Sequence, residues 1–139
     1  MILYYGVTSY HMLCCILHKM IIHPEEKAGI FLSDTHPECQ RLIGAIEKSK
    51  LFEEAGLFPD KGRMLPYKKK YAENPTEKNL DVLVQRLSAE VKKDLPFRPE
   101  EITEYNICGD QYGLGIWLIH EREEYAFFEE GCGVYTRKH

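Results

Sequence analysis

Short apolar runs alternate with amphipathic segments along the whole of this chain. Runs such as Ile2–Val7 and Lys27–Leu32 have the length and the apolar continuity of strands buried on both faces, and Ile102–Cys108 is predicted to be a further strand. Segments such as Tyr10–Ile22 and Thr76–Asp94 carry apolar residues three and four positions apart, the spacing of one helix face. Strand and helix in alternation predict parallel βαβ units with right-handed crossovers. We therefore predict an α/β fold with a Rossmann-like parallel sheet of about five strands, in the order 3-2-1-4-5, flanked by helices.

Length, charge and cysteine content narrow the class of protein. The 139 residues, 44% of them apolar, suit a single domain spanning residues 1–139. A net charge of −4 argues against nucleic acid as the main partner, because that role needs a basic surface. Five cysteines without Cys-x-x-Cys spacing, and the lack of a His-Glu-x-x-His motif, predict free thiols and no metal site.

The N-terminal segment predicts a cytoplasmic chain. It has no basic leader, and its apolar run is interrupted by Gly6, Ser9 and His11. The segment Met12–Ile22 is apolar but shorter than the roughly 20 residues that a membrane span needs. Peripheral contact with the inner membrane stays open as an alternative, although Lys68–Lys70 has fewer basic residues than a typical membrane-binding cluster.

Periodicity also predicts which residues face the core. For the first helix the apolar set at helical spacing is Leu13, Ile16, Leu17 and Met20. For the helix that starts at Pro37 it is Cys39, Leu42, Ile43 and Ile46. For the helix after Thr76 it is Leu80, Leu83, Val84, Leu87 and Val91. Between Pro59 and Pro75 the prolines and lysines predict a long loop on the ligand-facing rim.

Polar residues follow four predicted strands at the point where each strand ends. In chain order these segments are Thr8–His11, Ser33–Asp34, Gly109–Gln111 and Glu129–Gly131. The carboxyl ends of parallel strands share one edge of the sheet, and ligands of open α/β sheets bind there, so we expect the site at this edge. Thr8 or Ser9 is expected to cap the first helix, and such a cap can present backbone N–H groups to an anionic ligand.

The segment Tyr125–Tyr135 takes an aromatic, apolar run into two carboxylates and a glycine turn. Glu129 and Glu130 at the end of a buried strand can serve as a general base and its partner, because a neighbouring negative charge and partial burial both raise a carboxyl pKa. Gly131 lets the backbone turn and leaves room for a substrate. The alternative is a polar strand end that only meets solvent.

These residues carry a family resemblance. The segment Phe128–Gly131 followed by Tyr135 resembles the (Asp/Glu)-(Asp/Glu)-Gly signature of bacterial sialyltransferases, in particular the lipooligosaccharide sialyltransferase and polysialyltransferase-like group. The opening Tyr4–Leu13 is similar to the N-terminal strand of that group, which ends in Thr-x-Tyr-His-Leu. Two positions depart from the pattern, since Glu130 stands where Asp is usual and Ser9 stands where Pro is often found.

The resemblance implies one half of a GT-B type glycosyltransferase, which moves sialic acid from CMP-sialic acid to a glycan acceptor with inversion and without a metal. Glu130, or Glu129 as its close alternative, would be the general base. Substrate contacts are expected from Gly131, Thr8, Ser9, Tyr10, His11 and Asp110. The donor would bind mainly to a C-terminal half, so residues 1–139 are expected to be the N-terminal, acceptor-side domain and to be inactive alone. No other cofactor is expected.

Three of these side chains have a second interpretation. Tyr10 either contacts substrate or packs against the sheet, and His11 either contacts substrate or instead caps the helix or is solvated. Asp110 follows Gly109 at a position more typical of a helix cap than of a catalyst, yet it is placed to bind a sugar hydroxyl.

Two functions without catalysis remain as alternatives. The chain would be a standalone nucleotide- or anion-binding module, or a protein-interaction domain with its acids on a partner surface. Neither Gly-x-Gly-x-x-Gly nor Gly-x-x-x-x-Gly-Lys-(Ser/Thr) is present, so dinucleotide and P-loop binding have no support.

Overall fold

The computed structural model describes residues 1–93, 95–109, 113–121, 126–128 and 136–138. In chain order the elements are β1 (Ile2–Gly6), α1 (Ser9–Ile22), β2 (Ala28–Ser33), α2 (Pro37–Ser49), β3 (Glu54–Phe58), α3 (Asp60–Glu73), α4 (Glu77–Lys93), β4 (Glu104–Ile107), α5 (Gly113–His120), β5 (Ala126–Phe128) and β6 (Thr136–Lys138), with a 3-10 turn at Pro99–Glu101 before β4. No helix within the described ranges has both the length and the apolar character that a membrane crossing needs.

The strands form one sheet in the order β3-β2-β1-β4-β5-β6. Strands β3, β2, β1 and β4 are parallel neighbours, and β5 continues the parallel set beside β4. Strand β6 is antiparallel to β5. The predicted α/β fold with a parallel, helix-flanked sheet is therefore confirmed, and so is the order of the first five strands. The count of about five is wrong because β6, which we did not predict, adds a sixth strand at the edge.

Each face of the sheet has its own core. Residues alternate between faces along a strand, so Ile2 and Tyr4 of β1 join the cluster beneath α1 and α2, whereas Leu3 and Tyr5 join the cluster beneath α4 and α5. All four side chains are buried. Helix α2 supplies Cys39 and Ile46 to the first cluster, with Ile43 packed against it, as its periodicity predicts.

Helix α3 corrects the loop that we predicted between Pro59 and Pro75. It begins at Asp60, directly after β3, and contains Pro66 in its interior. An interior proline costs a helix roughly 3 kcal/mol, which is why the sequence pattern favours a break here. The helix forms nevertheless because it lies against α4 and α5.

Helix α1 presents a different face to the core from the one predicted. Its buried residues are His11, Cys15 and Lys19, whereas Leu13, Leu17 and Met20 are exposed and Ile16 is half-buried. Periodicity failed because α1 is apolar almost all round, so no stripe stands out against a polar face. On α4, where polar and apolar residues do segregate, Leu87 and Val91 are buried as expected but Leu80 is exposed.

Candidate functional site

The first turn of α1 begins with a reciprocal cap, as predicted for Thr8. The Thr8 Oγ1 accepts a hydrogen bond from the backbone N–H of His11 at 3.1 Å. In return the His11 Nδ1 accepts from the backbone N–H groups of Val7 and Thr8 at 3.0 and 3.3 Å. His11 takes the position that Glu or Gln has in a capping box, and it is 3% exposed. The structure thus shows the capping role of His11, and its contact with substrate stays a prediction.

Ser9 and Tyr10 belong to the same turn and are exposed. The backbone N–H of Ser9 donates to the Glu38 Oε1 of α2 at 3.3 Å. A carboxylate is stabilised at this position because the helix dipole is positive there, so an anionic ligand would compete with Glu38. Tyr10 hydrogen-bonds to the Cys14 side chain one turn along α1. Thr8 and Ser9 therefore lie at the carboxyl edge of the sheet, and Tyr10 lies on the outer side of the helix.

A buried carboxylate joins three elements at the same edge. Asp60, the first residue of α3, is completely buried. Its Oδ2 accepts a short hydrogen bond from the Tyr5 hydroxyl of β1, and its Oδ1 accepts from the backbone N–H of Gly113, the first residue of α5, at 3.0 Å. A Cβ atom on Gly113 would lie 2.5 Å from that Oδ1, so the close approach requires glycine.

Burial determines the direction in which the pKa of the Asp60 carboxyl group is shifted. Loss of hydration raises the pKa of Asp60 above its ordinary value, and the nearby Asp34 carboxylate adds to the rise. Hydrogen bonds from Ser33, Tyr5 and Gly113 lower the pKa but do not reverse the net shift. Since Asp60 has no exposed surface, we assign it the task of holding the ends of β1, β3 and α5 together.

The loop after β2 is more open and supplies the polar groups that a ligand could reach. Asp34 and Thr35 are half-buried. The Asp34 Oδ1 accepts from the backbone N–H of Lys61 at 2.7 Å and so caps the start of α3, where the preceding Pro59 makes no side-chain cap. The Thr35 hydroxyl lies 3.0 Å from the Ser33 hydroxyl. This loop, together with Thr8 and Ser9, can hydrogen-bond to hydroxyl groups of a ligand.

Sequence reasoning identified Ser33–Asp34 as a strand end but missed Asp60, because the stretch after β3 was read as a loop. The signal was present: Asp60 follows the strand after a single residue, Pro59, and Asp is favoured in the first turn of a helix. Its partners could not be predicted, since Tyr5 is 55 residues away and Gly113 is 53 residues away.

The four remaining predicted site residues are Asp110, Glu129, Glu130 and Gly131, and they lie outside the described residues. What the structure does give is the strand that leads to three of them. Strand β5 runs parallel to β4, with Ala126 opposite Asn106 and Phe127 opposite Ile107, and it ends at Phe128. The chain therefore enters Glu129 from the carboxyl end of a parallel strand.

A second polar cluster lies at the amino edge of the sheet. The His23 Nε2 is 2.8 Å from the Glu104 Oε2, and the His23 Nδ1 is 2.8 Å from the Glu26 Oε1. The Tyr4 hydroxyl is 2.7 Å from the His18 Nδ1, and the rings of His18 and His23 lie 5.5 Å apart. Among the described residues, no group of three or more His, Cys, Asp or Glu side chains has the geometry to hold a metal ion.

The pKa values within this amino-edge cluster are shifted in different directions. Burial would lower the pKa of His23, but the bonds and charges of Glu26 and Glu104 leave it raised. Burial would raise the pKa of Glu104, but its bonds to Asn106 and His23 and the nearby histidine charges leave it lowered. Burial and the adjacent His23 lower the pKa of His18. Both shifts favour the charged forms of His23 and Glu104.

A cleft of about 370 Å³ separates α3 from α4 and shares no residue with either edge cluster. Two tyrosines and two aliphatic side chains line it together with two cations, one carboxylate and two amides: Tyr67, Tyr71, Val82, Leu83, Lys70, Arg86, Glu73, Asn74 and Asn79. Its volume is within the range of small-molecule sites.

Comparison with known proteins adds no family to these observations. No protein-family model, no curated protein and no solved structure matches this chain.

Proposed function

We propose that this chain is the acceptor-side half of a sialyltransferase-like glycosyltransferase with two Rossmann-like domains in a GT-B arrangement. One observation carries the proposal. Strand β5 is parallel to β4 and ends at Phe128, immediately before Glu129, Glu130 and Gly131. The sequence motif that resembles the sialyltransferase signature thus follows a strand at the carboxyl edge, where α/β proteins bind their ligands.

The register of the sheet supports a shared site for the two motifs of the resemblance. Tyr5 of β1 is opposite Ile107 of β4, and Ile107 is opposite Phe127 of β5. The ends of β1 and β5 are therefore two strand spacings apart, about 10 Å. A sugar residue bound over the end of β4, the strand between them, would lie beside Thr8 and Ser9 on one side and beside the end of β5 on the other.

In the proposed reaction Glu130, or Glu129 in its place, removes the proton from a hydroxyl group of the glycan acceptor. The acceptor oxygen attacks the anomeric carbon of CMP-sialic acid from the face opposite CMP. The bond from that carbon to the phosphate oxygen breaks, CMP leaves with the electron pair, and the configuration inverts. General-base catalysis of this kind contributes on the order of 10²–10⁴ in rate.

The described residues of the edge would bind the acceptor. Thr8, Asp34 and Thr35 offer hydroxyl and carboxylate oxygens to sugar hydroxyl groups. Glu38 places a negative charge at the start of α1, which disfavours an anionic donor there. This agrees with a donor that is held mainly by the second half of the enzyme.

The test is sialyl transfer by the product of the full reading frame that contains this chain. With CMP-sialic acid and a fluorescent lactoside as probes, Glu130→Gln should lower kcat by at least roughly 100-fold, and Glu129→Gln should have the smaller effect. Glu77→Gln, at an exposed position on α4, is the matched control and should leave kcat unchanged. If both acidic-motif variants keep full kcat, the assignment is wrong.

The cleft between α3 and α4 favours the second candidate, a binding module without catalysis. Lys70 and Arg86 beside Tyr67 and Tyr71 suit a small anion with an aromatic or sugar ring. If the chain is such a binding module, it should bind CMP and should transfer sialic acid to no acceptor. The Lys70→Glu/Arg86→Glu double variant should then lose CMP binding. Transfer that survives this double change would rule it out.

A further inference from the structure

Helix α1 carries an apolar seam on its outer side. Tyr10, Leu13, Leu17 and Met20 are 39% to 55% exposed, although three of them are large aliphatic side chains. They are spaced three, four and three residues apart, which is the a/d spacing of a two-heptad coiled-coil helix. Ile21, beside this seam, is 72% exposed. Within the described residues no other element covers these side chains.

The seam carries no charged side chain, unlike an ordinary solvent-facing side of a helix. Lys19 is the single charged residue of α1, and it is buried, with its Nζ donating to the carbonyl oxygens of His23 and Pro24 at 2.6 and 3.4 Å. Helix α2 on the same face of the sheet has the ordinary pattern, since its outer side contains Gln40, Arg41 and Lys48. A helix that is apolar all round is normally buried on all sides.

We propose that α1 packs against α1 of a second copy of this chain, seam against seam, in a symmetric dimer. At roughly 200 Å² for a large side chain, the exposures of Tyr10, Leu13, Leu17, Met20 and Ile21 sum to about 500 Å² per copy. Two copies would bury about 1,000 Å² from these residues alone, which reaches the lower threshold of roughly 1,000 Å² for a biological interface. A symmetric contact presents the same patch on both sides, and this patch has no like charges to oppose each other.

The spacing of the seam residues favours a second helix, and not a membrane surface, as the partner that covers α1. An a/d pattern fits knobs into the holes of a second helix, whereas a lipid surface places no demand on three-four spacing. Membrane-surface helices also flank their apolar side with Lys and Arg. Here the flanks carry Glu25 and Glu26 after the helix and Glu38 at its start, and these would be repelled by anionic lipid.

The proposed dimer does not depend on the proposed function. It does give a different role to Tyr10, which the sequence predicts as a substrate contact. Tyr10 is part of the seam, and its side chain hydrogen-bonds to that of Cys14 one turn along the same helix. In the dimer Tyr10 is an interface residue. Thr8 and Ser9, at the start of the same helix, stay at the edge of the seam and open to a ligand.

The test measures the mass of the chain in solution. Sedimentation velocity and light scattering of residues 1–139 should give twice the monomer mass of 16.2 kDa at micromolar concentration. Leu17→Glu should weaken the dimer by roughly 100-fold or more, because it would bury two carboxylates against each other. Leu80→Glu is the matched control, since Leu80 is a leucine of similar exposure on α4, and it should stay dimeric.

Because Leu17 is already half exposed, its replacement should leave the melting temperature of the monomer unchanged, and circular dichroism checks this. A Leu17→Cys variant gives an independent readout: mild oxidation should produce a covalent dimer, and Leu80→Cys should not. A wild-type chain that stays monomeric at 100 micromolar would overturn the proposal. So would a Leu17→Glu variant that dimerises as wild type does, or a monomer that floats with phosphatidylcholine–phosphatidylglycerol vesicles.

Discussion

The two edges of the sheet each hold a carboxylate in a polar cluster, and the clusters differ in what surrounds it. At the carboxyl edge Asp60 is completely buried, and its partners are neutral donors on β1, β2 and α5. At the amino edge Glu104 has a side chain that is 42% exposed, and its partner His23 is a titratable base. Burial raises the pKa of Asp60, whereas hydrogen bonds and histidine charge lower the pKa of Glu104 against the effect of burial.

The comparison shows that one chemical group serves two purposes in this fold. Three structural elements meet at Asp60, which holds this edge of the sheet rigid. Glu104 links the start of β4 to the loop after α1 through a pair that responds to pH.

The largest expected effect is the loss of the Asp60 carboxylate. Asp60→Ala removes the acceptor of the Tyr5 hydroxyl and of the Gly113 N–H in a site without water access, so it should lower the free energy of unfolding by about 3–5 kcal/mol. Glu104→Ala removes an exposed ion pair and should cost about 1 kcal/mol or less. Urea unfolding at pH 7 measures both. An equal or larger loss for Glu104→Ala would contradict the contrast.

A methyl group at Gly113 should have an intermediate effect. The added Cβ would lie 2.5 Å from the Asp60 Oδ1 and 3.2 Å from the Val91 Cγ2, so Gly113→Ala should lower the free energy of unfolding by about 2–3 kcal/mol. Gly44→Ala on α2 is the matched control. Nothing lies within 4 Å of its added Cβ, and alanine is the better helix former, so it should gain about 0.5–1 kcal/mol. Thermal unfolding that ranks the two variants in the reverse order would disprove the close packing at Asp60.

The smallest effects are on pH dependence, where the two carboxylates should differ in sign. A raised pKa for Asp60 means that its contribution to stability is present at acid pH, below the ordinary value of about 4, and is lost as pH rises through the folded-state pKa. Asp60→Asn imitates the protonated form. Its free energy of unfolding relative to wild type should therefore increase between pH 4 and pH 7.

For Glu104 the pKa is lowered, so its contribution is present above about pH 4.3 and is lost as pH falls through the folded-state pKa. For His23 the pKa is raised, so its contribution is present below about pH 6.5 and is lost as pH rises through the folded-state pKa. Glu104→Gln should therefore cost most between about pH 4.5 and 6.5. Urea titrations across pH 3–8 should show this maximum, and a loss that is constant with pH would refute the charged pair.

The part of the fold that is predictable from sequence depends on local contrast between polar and apolar positions. Strand β1 and helix α2 were predicted because their apolar residues stand out at the period of a strand or a helix. Helix α3 was missed because Pro66 and Lys68–Lys70 resemble a loop, while the contacts that stabilise it come from α4. The orientation of α1 was missed because a helix without a polar face does not indicate which side is inward.

The candidate site was likewise predictable only where its contacts are between residues close in sequence. The cap at Thr8 was predictable, since it depends on neighbours within three residues. The Asp60 cluster was not, because Tyr5 and Gly113 reach it across more than fifty residues and only the strand order brings them together. The roles of Glu129 and Glu130 stay predictions, since these residues lie outside the described ranges.

We propose that the carboxyl edge, and not the amino edge or the α3–α4 cleft, is where this chain binds its ligand. Titration of the 15N-labelled chain with sialic-acid-acceptor oligosaccharides such as lactose tests it most directly, because each backbone amide reports separately. We predict chemical-shift changes at the amides of Thr8, Ser9, Asp34 and Gly109, with His23 and Glu104 unmoved. Changes confined to the amino edge or to Tyr67–Asn79, or none at millimolar sugar, would contradict the claim.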